Sequence, residues 1–89
     1  MDKLENWRKQ IDDVDEKILN LLAKRISIVK KIGNYKKQNN LSALDEKRWD
    51  RVLKLTLSKA ELLNLSKDFI KKLLTLIHKY SLKIQNEKS

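Results

Sequence analysis

Residues 4–35 read LENWRKQIDDVDEKILNLLAKRISIVKKIGNY, and this stretch decides the fold. Its apolar residues recur at alternating steps of three and four, which is the spacing of one face of a long α-helix. The stripe consists of Leu4, Trp7, Ile11, Val14, Ile18, Leu21, Arg25, Ile28, Ile32 and Tyr35. At 1.5 Å per residue such a helix is about 48 Å long. The rest of an 89-residue chain is too small to cover this stripe, so a second copy of the chain is the natural source of cover.

Two shorter helices are predicted after the first. Asp45 suits the N-cap of the second helix, and Ser66 suits the N-cap of the third, because short polar side chains accept hydrogen bonds from free backbone N–H groups. Pro is absent and there is one Gly, so few residues interrupt the helical pattern. The expected all-α domain covers residues 1–89, with three helices at about 3–38, 45–62 and 66–86.

The composition limits the compartment and the partners. Lys and Arg total 21 against 12 Asp and Glu, and this net charge of +9 favours nucleic acid, an anionic membrane surface or a small dicarboxylate. No stretch approaches the ~20 apolar residues of a membrane span, and the charged first ten residues do not suit a signal peptide. Cys is absent, which excludes disulfides and fits a reducing cytoplasm. We expect a cytoplasmic protein without a membrane partner.

Three cations on the first helix are candidate ligand-binding residues. Arg25 interrupts the apolar stripe, where it either pairs with a carboxylate, extends to solvent or binds a ligand. Lys36 lies about 16 Å further along the same face, so both long side chains can lean over one small dianion; alone, Lys36 also suits a solvated helix C-terminus. Arg8 lies about 25 Å before Arg25. Arg8 is therefore either a surface charge or part of a site on another subunit.

The remaining polar groups give little sign of metal or nucleophilic chemistry. His78 is the single His, and without Cys a metal site is not expected. Ser81 and Gln85 lie one turn apart and can either close a polar pocket or form the frayed end of a helix. The carboxylates of residues 12–16 suit a solvated helix face. Neither a metal nor a cofactor is expected.

Six short segments occur in a particular order along the chain. They are RKQID at 8–12, LLAKR at 21–25, IGNYK at 32–36, DEKR at 45–48, NLS at 64–66 and IHKYSLKIQ at 77–85. Together, in this order and at these separations, they resemble the small all-helical chorismate mutases. The resemblance implies an isomerase without cofactor that converts chorismate into prephenate. It also implies an intertwined homodimer of three-helix chains, with two active sites that each take one Arg from the opposite subunit.

The resemblance implies roles for the cationic and amide side chains. Arg25 and the partner chain's Arg8 would bind the two carboxylates of the substrate, with Arg48 assisting at the carboxylate end. Lys36 and Gln85 would hydrogen-bond the ether oxygen. A fixed cation at that oxygen suits the reaction, because negative charge grows there as the C–O bond breaks.

The resemblance also implies the rest of the pocket. Asp45 would contact the ring hydroxyl through its backbone or side chain, Ser81 would line the pocket, and Ile32 and Leu82 would supply apolar walls. The chain departs from the family pattern at Trp49, where a Glu that receives the ring hydroxyl is usual. Trp49 either packs over the site or joins the core.

Three other functions remain open at this point. A basic helical dimer that binds nucleic acid fits the charge, although no nucleic-acid-binding motif is evident. An isochorismate pyruvate lyase resembles the same fold and also lacks the Glu. A structural helical dimer with a vestigial pocket is the third possibility. The sequence favours the mutase, because a rearrangement within one molecule needs no nucleophile, proton donor or metal.

Overall fold

The computed structural model describes residues 2–87 of the chain. They form helices α1 (Lys3–Gln38), α2 (Glu46–Leu62) and α3 (Lys67–Asn86), and no strand occurs among them. The prediction of an all-α fold with three helices and a long first one is confirmed. The described part of the chain is elongated and measures 57 × 28 × 14 Å.

Side-chain caps fix where α2 and α3 begin. Asp45 Oδ1 accepts the backbone N–H of Arg48 at 3.0 Å, and Ser66 Oγ accepts that of Phe69 at 3.1 Å. Each cap satisfies one of the backbone N–H groups that have no partner within the first turn of a helix. The Asp45 cap matters for the site, because Asp45 and Arg48 at the start of α2 both line the cavity described below.

Asparagines end α1 and α2. Asn40 and Asn64 have positive φ angles of 55° and 58°, a left-handed conformation that Asn tolerates better than most residues. The residue after each asparagine donates its backbone N–H back into the helix, Leu41 to the Lys36 carbonyl at 2.7 Å and Leu65 to the Ala60 carbonyl at 2.8 Å. These turns end the helices sharply.

Helix α3 packs against both α1 and α2 and carries most of the tertiary contact. The residues buried between the helices are few and mostly small. They are Val29, Gly33, Ala60, Ser81 and Ile84. A core of this size buries little apolar surface, which is the main source of folding free energy.

The N-terminal half of α1 projects away from this core. Every residue from 2 to 21 is exposed, including Trp7 at 58% and Ile11 at 58%. The apolar stripe predicted from the sequence therefore has no cover from the other described residues over its first five turns. None of the three helices, over residues 2–87, has the length and apolar content needed to cross a membrane.

Candidate functional site

A cavity of about 340 Å³ lies where the C-terminal half of α1 meets α2 and α3. Nine of the ten candidate site residues line it, and Arg8 does not. The full lining consists of Arg25, Val29, Ile32, Lys36, Ala43, Asp45, Arg48, Trp49, Val52, Leu74, His78, Ser81, Leu82 and Gln85. The three helices thus bring together residues that are up to sixty positions apart in sequence.

A hydrogen bond to the hydroxyl of Ser81 positions Arg25. Its Nη1 donates to Ser81 Oγ at 2.7 Å, and Ser81 Oγ in turn donates to the Ile77 carbonyl at 2.9 Å. Ser81 is buried, so its hydroxyl has a fixed direction and holds one arm of the guanidinium. The partner of Arg25 is therefore a neutral hydroxyl on α3, and the alternative of a carboxylate partner does not occur within residues 2–87. The remaining N–H donors of Arg25 stay available for a ligand.

Lys36 is held at the cavity by the connection between α1 and α2. Its Nζ donates to the Ala43 carbonyl at 2.8 Å. An ammonium group has three N–H donors, so at least one further hydrogen bond can be made to a ligand. Lys36 is half-buried, which weakens solvent screening of its charge.

The cavity has an excess of positive charge. Its lining includes three cations, Arg25, Lys36 and Arg48, and one carboxylate, that of Asp45. Among residues 2–87, none of these three cations has a carboxylate oxygen within 4.0 Å. Burial, followed by the charge of Arg25, lowers the pKa of His78 below its usual 6.5, which keeps the imidazole neutral at pH 7. The cavity therefore attracts a small ligand with more than one negative charge.

Gln85 closes one end of the cavity with a polar group that lacks a partner. Its Oε1 is buried and accepts no hydrogen bond from the rest of residues 2–87. A buried amide oxygen without a partner costs about 1–3 kcal/mol, and such atoms are rare in native structures. Oxygen and nitrogen of an amide have the same shape, so rotation of the group presents an N–H donor at the same place.

Gly33 allows Gln85 to approach α1 closely. A Cβ atom at Gly33 would lie 3.0 Å from the Cα of Gln85 and 3.3 Å from its Cγ. A separation of 3.0 Å is tighter than nine in ten real Cβ contacts, and the nearest atom belongs to the backbone, so a larger residue would push α3 away by a few tenths of an ångström. The single glycine of the chain thus sets the distance between Gln85 and the cations of α1.

Trp49 and His78 form an aromatic wall of the cavity. Their ring centroids are 4.0 Å apart and their planes differ by 9°, which is a stacked arrangement. Trp49 is half-buried and lines the cavity, so it faces the site and not the small core. Sequence reasoning assigned His78 no role in the site. Its position three residues before Ser81, nearly one helical turn, is the signal that could have placed it on the cavity face.

Arg8 lies in a separate shallow groove on the projecting half of α1. The groove is lined by Glu5, Arg8, Lys9 and Asp12, all of which are exposed. Arg8 therefore does not belong to the cavity formed within one chain.

The geometry suits binding and electrostatic stabilisation more than acid–base or metal chemistry. Within the described range, no group of three or more His, Cys, Asp or Glu is placed to hold a metal ion. Three cations, a buried amide and an aromatic wall surround a space sized for one small organic ligand. The site is suited to a class of helical protein that binds a small polyanion.

Comparison with known proteins identifies the family. The model of the family "Chorismate mutase type II" matches residues 7–86, and the chain belongs to this family. This agrees with the resemblance seen in the sequence.

Three relatives are similar to the chain. A chorismate mutase of Methanocaldococcus jannaschii is 39% identical over 59 residues, which is 62% of this chain and 60% of the relative. The T-protein of Enterobacter agglomerans is 33% identical over 81 residues, 91% of this chain and 22% of the relative. A bifunctional chorismate mutase/prephenate dehydratase of Buchnera aphidicola is 32% identical over 81 residues, 91% of this chain and 21% of the relative. The chain thus spans less than two thirds of the length of each.

Proposed function

We propose that this chain catalyses the rearrangement of chorismate to prephenate. The observation that carries the proposal is the cavity itself, in which Arg25, Lys36, Arg48 and Gln85 surround one ligand-sized space. Membership of the chorismate mutase family and similarity to a protein named chorismate mutase support it. The substrate has two carboxylates and an ether oxygen, and the cavity offers donors suited to each.

The proposed mechanism uses position and charge alone. Arg25 and Arg48 bind carboxylates, since a guanidinium forks over both oxygens of such a group. This fixes the enolpyruvyl side chain over the ring, near the geometry of the transition state. Lys36 and the amide of Gln85 donate to the ether oxygen, where negative charge grows as the C–O bond breaks. Their stabilisation is larger in the transition state than in the bound substrate, so it raises the rate.

We further propose that two chains form an intertwined homodimer through their α1 helices. The exposed apolar residues of the projecting half of α1 support this, because an isolated chain would leave them in water. Antiparallel pairing of two such helices would carry Arg8 of each chain toward the cavity of the other. Arg8 would then bind the second carboxylate of the substrate, which explains why it lies outside the cavity of its own chain.

We also propose a cytoplasmic location, which the absence of Cys supports.

The test is a direct assay of the purified protein with chorismate. Loss of chorismate and appearance of prephenate, followed by absorbance and by chromatography of the product, is the expected result. A parallel reaction with isochorismate distinguishes a lyase, which would release pyruvate. No turnover of chorismate above the uncatalysed rate would overturn the proposal. Sedimentation at several protein concentrations tests the homodimer, and a monomer under assay conditions would exclude the shared site.

A further inference from the structure

The stacked pair of Trp49 and His78 presents a fixed, neutral imidazole to the cavity. The pair joins α2 to α3, and stacking at 4.0 Å between the centroids restricts rotation of the His78 ring. Neither ring nitrogen of His78 hydrogen-bonds another side chain or backbone group of residues 2–87. A neutral imidazole has one N–H donor and one acceptor nitrogen, so both remain available to a ligand.

The acceptor nitrogen is unusual among the polar groups of the cavity. Arg25, Lys36 and Arg48 have donors alone. Ser81 Oγ already accepts from Arg25, and Asp45 Oδ1 already accepts the N–H that caps α2, so the side-chain acceptors of the described lining that remain free are Asp45 Oδ2, the Gln85 amide oxygen and the His78 nitrogen. A hydroxyl group buried in such a cavity needs an acceptor for its own hydrogen, and leaving that hydrogen unpaired weakens binding.

Gln85 is also a free acceptor, but it lies at a different place. His78 precedes Gln85 by seven residues on α3, which is two turns and about 10 Å along the helix axis. Both side chains line the cavity, so they reach a bound ligand from two ends of it. In chorismate the ring hydroxyl is on the carbon next to the one that carries the ether oxygen, so Gln85 at the ether oxygen and His78 at the hydroxyl would approach neighbouring oxygens from these two ends.

We propose that His78, held in place by Trp49, binds the ring hydroxyl of the substrate and is a specificity-determining residue of the site. The inference rests on the proposed function, because chorismate carries one hydroxyl on its ring besides the carboxylates and the ether. The positive charges select for a dianion, and the Trp49–His78 pair selects among dianions for one with a hydroxyl at this position. Discrimination of this kind is strong where a site is built to hydrogen-bond the group in question.

The experiment uses titration calorimetry to measure the affinity of two ligands for the native protein and for the variant His78→Phe. The ligands are a bicyclic ether dicarboxylate that mimics the transition state and the same compound without the ring hydroxyl. His78→Phe keeps a stackable ring but removes both nitrogens. We expect this variant to bind the hydroxyl ligand about tenfold more weakly, as for one lost hydrogen bond, and the ligand without hydroxyl within about twofold of the native protein.

The ligand without hydroxyl also reports on folding, since a misfolded variant would bind neither ligand. Should His78→Phe fail in this way, His78→Leu gives the same comparison. Equal weakening of both ligands, or no change in either, would overturn the inference and leave the mutase proposal standing. A native protein that binds neither ligand and leaves chorismate intact would instead overturn the proposed function.

Discussion

Replacement of Gly33 by alanine tests the close approach of α3 to α1. Alanine in a helix interior is more favourable than glycine by about 0.5–1 kcal/mol. Against this, the new Cβ would lie 3.0 Å from the Cα of Gln85, and a backbone atom cannot rotate away as a side chain can. Overpacking of this kind costs about 1–3 kcal/mol. We therefore expect a net loss of about 0–2.5 kcal/mol in the free energy of unfolding, the difference of these two ranges.

The effect on turnover should exceed the effect on stability. Relief of the contact moves α3 outward by a few tenths of an ångström and carries Gln85 away from Lys36. Misplacement by about 1 Å costs on the order of a hundredfold in rate, so we expect turnover to fall about tenfold for this smaller shift.

The assay pairs urea unfolding with initial rates on chorismate. Ser27→Ala is the matched control, because Ser27 is exposed on α1 and the change adds helix propensity without a new contact. The reasoning is refuted if Gly33→Ala is more stable than the native protein by the full propensity gain and turns over at the native rate.

Three further predictions concern the cavity. Lys36→Ala should lower turnover of chorismate about a hundredfold or more with little loss of helix by circular dichroism; near-native turnover would remove Lys36 from the mechanism. Arg8→Ala and Arg25→Ala should each be nearly inactive, whereas a mixture of the two should regain activity through mixed dimers with one intact site; a mixture as inactive as its components would count against shared sites. Below pH 6.5 the unfolded chain binds more protons than the folded one, because the pKa of His78 is lowered in the fold, so stability should fall as the solution is acidified from pH 6.5 towards the folded pKa. Urea unfolding of the native protein and of His78→Phe across this range measures how steeply stability depends on pH, and the dependence should be weaker in the variant. An NMR titration of the single His in Arg25→Gln should show its pKa moving back up.

The helices could be predicted from the sequence because their signals are local. The three-and-four spacing defines α1, and the capping residues Asp45 and Ser66 mark the starts of α2 and α3 by chemistry that acts within one turn. The reach of Arg25 and Lys36 over a common ligand followed from helix geometry alone. The structure places both side chains at one cavity.

The contacts between helices could not be predicted in the same way. Nothing local indicates that Arg25 uses the hydroxyl of Ser81, 56 residues away, in place of a carboxylate. The stacking of His78 on Trp49 depends on how α2 and α3 cross, and a lone His on a helix gives no such information. The close approach of Gln85 to the single glycine became known only from the packing of α3.

If two chains pair through the exposed start of α1, as proposed, the stability and activity of the protein depend on its concentration. A chain whose largest apolar face is covered by a second chain gains stability from association. Its melting temperature should therefore rise with protein concentration. Dilution should then reduce specific activity as well as stability, because association of the two chains and their folding become parts of one equilibrium. Rates recorded at nanomolar enzyme would underestimate what the same chain achieves at higher abundance.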